Sequence, residues 1–153
     1  MLGLALRAAG AGLRVYIGQF VKSMAYSEVK TIEEFLPMVH IELYGPGCIF
    51  ERKPTLEDVE VTKHGLEKAT KAISSGKYDI VMLDEINVAL HLGLLDVESV
   101  LEVIRQKPEN VELVLTGRYA PPEIINSADL VSEINEIKHY YTTGLLSREG
   151  IDR

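Results

Sequence analysis

Short apolar runs alternate along this chain with segments whose apolar residues recur at helical spacing. Runs typical of strands lie at residues 14–20, 39–43, 79–83 and 111–115, with a shorter one at 130–134. The pattern predicts one helix followed by repeated strand–helix units, which is typical of α/β folds with a mostly parallel sheet. A length of 153 residues fits one domain, so we expect residues 1–153 to form a single α/β domain.

Several predicted helices carry start signals. Thr55 and Asp58 have the spacing of a capping box at the beginning of a helix over residues 55–74. Asp96 is a candidate N-cap for a second amphipathic helix, and Pro121-Pro122 opens a third, shorter one. Residues 2–9 predict a first helix that is apolar nearly all round, which implies burial on several of its sides.

Composition narrows the class of protein. The chain is 46% hydrophobic and 25% charged, with a net charge of −7 that argues against a nucleic-acid binder. No apolar run approaches the roughly 20 residues needed to span a bilayer, and the apolar start lacks the basic residues that precede a signal peptide's core. We therefore expect a cytoplasmic protein without a membrane partner. The single cysteine, Cys48, excludes an intrachain disulfide and a Cys-rich metal site.

Polar residues follow three of the predicted strands. Asp84 and Glu85 end the third strand, Arg118 follows the fourth after a glycine, and Gln19 and Lys22 end the first. Ligands of α/β sheets bind at this edge, and an acidic pair there suits Mg²⁺ with a nucleoside triphosphate. Taken alone, the acidic pair could instead be a helix cap, and Arg118 could instead be a surface arginine after a tight turn. Together the three strand ends predict one ligand crevice.

Two further segments leave alternatives open. The turn-rich loop at residues 45–50 ends in Phe50, which either covers a flat hydrophobic ligand or packs into the core. Near the C-terminus, Lys138 and His139 precede two tyrosines and either contact an anion or belong to a surface tail. The four histidines lack the spacing of metal ligands, so no histidine metal site is predicted.

An ordered set of motifs resembles a known family. GLALRAAGAGLRV, QFVKS, DIVMLDEINVAL, VLTGR, ADLVSE, IKHYYTTG and REGID occur in the order and near the spacing of the P-loop ATP:corrinoid adenosyltransferases. The resemblance implies a three-layer, RecA-like P-loop NTPase fold, usually a homodimer. It also implies transfer of the 5′-deoxyadenosyl group of ATP to the cobalt of a reduced corrinoid, with release of triphosphate. The expected cofactor is Mg²⁺ or Mn²⁺, and the expected partners include an electron-donating reductase.

The resemblance assigns roles by motif position. It implies that the metal-associated acidic pair is Asp84 and Glu85. It implies nucleotide contacts by Arg7, Gln19, Lys22 and Arg118. It implies corrinoid contacts by Cys48, Phe50, Lys138 and His139. Relatives carry two aromatic residues in the corrinoid loop, where they press on the corrinoid and displace its axial ligand. Here Cys48 stands at the first aromatic position, which puts the ligand-displacing role in doubt. No catalytic side chain is implied, because reduced cobalt is itself the nucleophile.

The start of the chain departs from the family pattern. Members carry a strand and a glycine-rich loop of the GxxGKGKTT kind directly before the segment that here begins MLGLALRAAG. We therefore expect a fold without its first strand and P-loop, weak ATP binding by this chain, and unpaired edges on the strands beside the missing one. Two other functions stay open: another P-loop-derived ATPase or nucleotide kinase, and a corrinoid-binding or scaffolding protein without catalysis.

Overall fold

A computed structural model describes residues 1–22, 24–45 and 52–151, which form an α/β fold around a four-stranded parallel sheet. The strands are β1 (Val15–Phe20), β2 (Val39–Tyr44), β3 (Ile80–Asp84) and β4 (Glu112–Leu115), in the spatial order β2-β1-β3-β4. The helices are α1 (Leu2–Gly10), α2 (Ser27–Phe35), α3 (Leu56–Ser74), α4 (Ile86–His91), α5 (Val97–Gln106) and α6 (Pro122–Ser127), and a 3₁₀ turn spans Tyr140–Thr143.

Helices cover both faces of the sheet and form two separate cores. Helices α1 and α2 pack on one face against the odd-numbered residues of β1, including Val15 and Ile17. Helices α3 to α6 pack on the other face, against Tyr16, Phe20 and the alternate residues of β3. Because side chains of a strand alternate between faces, the mostly apolar strand β1 contributes to both cores, and all six of its residues are buried.

Four of the five predicted strands are confirmed with ends shifted by about a residue. The fifth prediction, at residues 130–134, is wrong: the backbone there forms neither helix nor strand. Leu130 is 86% exposed and Ile134 is 96% exposed. A strand is held by hydrogen bonds to a neighbouring strand. No strand of the described residues pairs with this segment.

The helix predictions fare differently from one another. Thr55 and Asp58 form the predicted capping box of α3, and the Asp96 side chain accepts a hydrogen bond from the Ser99 amide at the start of α5. Helices α2 and α4 went unpredicted. The expected burial of α1 on several sides is wrong, since it buries a stripe of small residues while Leu6 is 59% exposed.

The outer strand β4 is less covered than the strands inside the sheet. Among the described strands it pairs with β3 only, and its residues Leu113, Val114 and Leu115 are half-buried, in contrast to the full burial of β3. No helix of the described residues is long and apolar enough to cross a membrane.

Tyr44, at the end of β2, joins the sheet to α3. Its ring lies against the Cα positions of Gly18 and Gly65, and its hydroxyl donates to Glu42 Oε2 at 3.0 Å. The close approach of α3 to the sheet therefore depends on the absence of Cβ atoms at Gly18 and Gly65.

Burial raises the pKa of Glu42, but hydrogen bonds from Lys68, His40 and Tyr44 outweigh this effect and lower that pKa to about 2.

We predict opposite effects of two glycine-to-alanine substitutions. A Cβ at Gly65 would lie 2.5 Å from Tyr44 Cγ, so Gly65→Ala should cost about 2 kcal/mol or more because the ring base has no room to move. At Gly3, also in a helix, a Cβ meets nothing within 4 Å, so Gly3→Ala should stabilise by on the order of 0.5 kcal/mol. Urea unfolding of both variants measures the difference, and equal effects would contradict the packing described.

Candidate functional site

The register of the parallel sheet brings the polar strand ends together. Gln19 of β1 pairs directly with Asp84 of β3, and Leu83 pairs with Leu115 of β4, which places Thr116 beside Asp84. Three of the predicted site residues, Gln19, Lys22 and Asp84, are therefore in direct contact. This cluster lies at the carboxyl edge of the sheet, where the sequence predicts a ligand crevice, and the crevice itself stays a prediction.

Asp84 is the centre of the cluster, with 7% of its surface exposed. Its Oδ2 accepts hydrogen bonds from Gln19 Nε2 at 3.0 Å and from Lys22 Nζ at 3.1 Å. Its Oδ1 accepts a hydrogen bond from Thr116 Oγ1 at 2.7 Å. A nearly buried carboxylate of this kind requires such donors, because burial without them carries a large desolvation cost.

Thr116 connects the two acidic residues. Its hydroxyl donates to Asp84 and accepts a hydrogen bond from the backbone amide of Glu85 at 3.2 Å. Its backbone amide donates to the carbonyl of Leu83, and its carbonyl accepts from the amide of Asn87. Thr116 is not among the site residues predicted from the sequence, because an uncharged threonine at a strand end has no feature that marks it as functional.

Glu85 begins α4 in a left-handed conformation, with φ of 59°. Its half-buried position raises the pKa of its carboxyl, and the neighbouring Asp84 raises it further, while Lys22 and Arg118 act in the opposite direction. Arg118 is exposed but lies within electrostatic reach of this carboxyl. The acidic pair is thus flanked by Lys22 and Arg118, two of the three cations that the family resemblance assigns to the nucleotide.

Backbone strain collects at the same edge of the sheet. Among the described residues other than glycine, only Val21, Glu85 and Tyr119 have positive φ, and each follows the end of a strand. Each such residue costs on the order of 1 kcal/mol. Gly117 lies between two of these points with φ of 123°, and a Cβ there would come within 3.1 Å of Asn87. Such strain persists where the surrounding packing imposes it, and it is common at functional sites.

Two buried oxygens near the acidic pair lack a hydrogen-bond partner within the described residues. They are Gln19 Oε1 and Asn87 Oδ1, on side chains that are 0% and 5% exposed. Buried acceptors of this kind normally have a partner, so they favour a ligand or water that brings donors. No group of three or more His, Cys, Asp or Glu side chains in the described regions forms a complete metal site. Two carboxylates nevertheless fit Mg²⁺, which is commonly held by one or two carboxylates with water and substrate phosphates.

The remaining predicted residues lie away from this cluster or outside the described residues. Arg7 is in the last turn of α1, which leads into the start of β1 and thus toward the opposite edge of the sheet. Lys138 and His139 lie on the exposed C-terminal segment, where His139 caps the 3₁₀ turn. No described contact joins these three to Asp84, and their roles stay predictions. Cys48 and Phe50 lie outside the described residues.

We predict that Glu85→Gln stabilises the protein at neutral pH. The pKa of Glu85 is raised on folding, so its contribution to stability is fully present below about pH 4.5, the ordinary value for this side chain, and is lost as the pH rises through the folded-state pKa. The variant should therefore gain well under about 1 kcal/mol at pH 7, after solvent screening, and lose that gain near pH 4. Unfolding at both pH values, with the exposed Glu109→Gln as control, measures this. A gain that is the same at both values would contradict it.

Comparison with known proteins identifies the family of the chain. Residues 1–152 match the family model described as ATP:corrinoid adenosyltransferase BtuR/CobO/CobP. A corrinoid adenosyltransferase from Sinorhizobium sp. is 33% identical over 153 residues, covering 98% of this chain and 72% of the relative. One from Pseudomonas aeruginosa is 30% identical over 151 residues, covering 98% and 74%, and corrinoid adenosyltransferase CobA from Salmonella typhimurium is 26% identical, covering 98% and 76%. The chain belongs to the ATP:corrinoid adenosyltransferase family.

Proposed function

We propose that the protein transfers the 5′-deoxyadenosyl group of ATP to the cobalt of a reduced corrinoid and releases triphosphate. The observation that carries this proposal is the match to the adenosyltransferase family over residues 1–152. The site supports it, because Asp84 and Glu85 lie beside two cations at the edge of a parallel sheet where α/β proteins bind their ligands.

The described residues suit the binding of a triphosphate. Lys22 and Arg118 supply positive charge at the carboxyl edge, and Arg118 offers the planar fork that matches phosphate oxygens. Asp84 and Glu85 would hold Mg²⁺ or Mn²⁺, which neutralises phosphate charge when it is bound. The overall charge of −7 repels anions, so this local pairing of cations and acids is what makes the edge suitable for ATP.

The chemistry needs little from side chains. In the proposed reaction, reduced cobalt attacks the 5′ carbon of the ribose, a cobalt–carbon bond forms, and the carbon–oxygen bond to the triphosphate breaks with its electron pair leaving on oxygen. The nucleophile belongs to the substrate, so the protein contributes positioning and stabilisation of the leaving triphosphate. The rigid ends of β1, β3 and β4 are suited to that task because each is anchored in the core.

The corrinoid contacts belong to the same proposal. We assign four residues to the corrinoid: Cys48, Phe50, Lys138 and His139. A homodimer, a reductase that supplies the electron, and a cytoplasmic location complete the proposal, in keeping with the family resemblance.

An anaerobic assay with chemically reduced cobalamin and ATP tests the activity. We expect the absorbance change that accompanies cobalt–carbon bond formation, with one triphosphate released per adenosyl group transferred. Release of ADP and phosphate without that bond would favour a P-loop ATPase. Corrinoid binding without bond formation would favour a binding or scaffolding protein. Either result would refute the proposed transfer.

We predict that Asp84→Asn lowers kcat/KM for ATP by about 100-fold, because it removes the charge that holds the cation and pairs with Lys22. Asp79→Asn is the matched control. Asp79 precedes β3 as Asp84 ends it, and it also pairs with a cation, Arg14, at 3.2 Å. The control should lose a little stability and keep its kcat/KM. Equal loss of activity in both variants would argue against a role for Asp84 in the reaction.

A further inference from the structure

The three donors around Asp84 differ in how freely they can leave. Gln19 is fully buried, and Thr116 is fixed by its own contacts to β3 and α4. Lys22 is the only charged donor of the three, and 31% of its side chain is exposed. Lys22 lies just beyond β1, and its ammonium is at the end of a long, flexible side chain. Asp84 therefore has two fixed neutral partners and one mobile cationic partner.

A carboxylate offers about four acceptor positions, two on each oxygen. On Asp84, Oδ2 accepts from both Gln19 and Lys22, whereas Thr116 is the one donor to Oδ1 among the residues that the structure describes. A divalent cation binds a carboxylate oxygen at about 2.1 Å, so it would lie close to the Lys22 ammonium, which is 3.1 Å from Oδ2. Two like charges held on one small carboxylate repel each other, and the flexible one gives way.

We propose that Lys22 is an exchangeable counter-ion of Asp84. The ammonium contacts Oδ2, and a divalent cation entering at Asp84 displaces it while Gln19 and Thr116 keep their hydrogen bonds. The inference rests on the proposed function, since that function supplies the cation and a triphosphate.

The displaced ammonium has a destination at the same edge of the sheet. The pKa of Glu85 is influenced by both Lys22 and Arg118, so both cations already lie within electrostatic reach of the same carboxyl. A triphosphate bound beside Glu85 would accept the released ammonium, which would otherwise return to Asp84. The metal ion frees Lys22 from Asp84 to contact the triphosphate, and the triphosphate keeps Lys22 away from Asp84. Metal and nucleotide should therefore strengthen each other's binding.

Titration with Mn²⁺ in the absence of nucleotide, followed by electron paramagnetic resonance, tests the exchange. Lys22→Met removes the competing cation, so we expect it to bind Mn²⁺ about fivefold more tightly than the unchanged protein. Lys22→Arg keeps the charge and should bind as the unchanged protein does. Lys107→Met, which removes an equal charge at the end of α5, at the opposite edge of the sheet, should also change nothing.

Thr116 gives a test of opposite sign. Thr116→Val removes a fixed donor that orients Asp84, so it should weaken Mn²⁺ binding, and Thr116→Ser should restore it because it keeps the hydroxyl. A readout that needs no substitution is the rate of amine labelling at Lys22, determined by mass spectrometry. Mn²⁺ should accelerate labelling of Lys22 and leave that of Lys107 unchanged.

The outcomes separate this inference from the function on which it rests. Mn²⁺ binding that Asp84→Asn abolishes, combined with no tightening in Lys22→Met and no change in Lys22 labelling, would overturn the exchange and leave the metal role of Asp84 intact. Absence of any binding that depends on Asp84 would overturn both the exchange and the metal part of the proposed function. Tighter binding in Lys22→Met but not in Lys22→Arg supports the exchange.

Discussion

The in-register parallel pairing of β1 with β3 is the constraint on which the rest of the site depends. It sets Gln19 directly opposite Asp84, so the amide of one strand end meets the carboxylate of the next. A register shifted by one residue would turn these side chains to opposite faces of the sheet, because side chains alternate along a strand. The apolar residues that precede them fix this register, since they must alternate correctly between the two cores.

The cores also hold a strained edge in place. Val21, Glu85 and Tyr119, which lie past the ends of three strands, have positive φ. Residues other than glycine disfavour this conformation, and the combined cost is on the order of 3 kcal/mol. Buried anchors lie immediately beside them, among them Phe20 and Ile86, which are 0% exposed. The packing energy of the fold is thus used to hold polar groups at positions that the isolated chain would not favour.

The contacts of Asp84 illustrate how local chemistry and tertiary structure combine. Gln19 and Thr116 are neutral and fixed, which gives the carboxylate a constant orientation, while Lys22 balances its charge from a mobile side chain. Both properties suit a protein that binds a charged ligand reversibly. Glu85 differs, because burial and the neighbouring charge of Asp84 disfavour its ionised form and raise its pKa.

The two inner strands of the sheet could be predicted from the sequence because they are buried on both faces. The mostly apolar runs at β1 and β3 have few alternatives in a chain of this length, whereas α2 and α4 are short and lack strong start signals. The segment at residues 130–134 has a strand-like composition but stays outside the sheet. A strand-like composition makes strand pairing possible, but pairing also requires a neighbouring strand from elsewhere in the fold.

The sequence by itself determined that Gln19, Lys22, Asp84, Glu85 and Arg118 follow buried strands, and hence that they would lie at one edge of the sheet. Only the tertiary structure decided which of them touch. The position of Thr116 between Asp84 and Glu85 arises from the register of β3 with β4 and the start of α4. So does the burial of Asn87 Oδ1 without a hydrogen-bond partner in the described regions. A hydrogen bond depends on distances of a few tenths of an ångström, and those are set by the packing of all elements together.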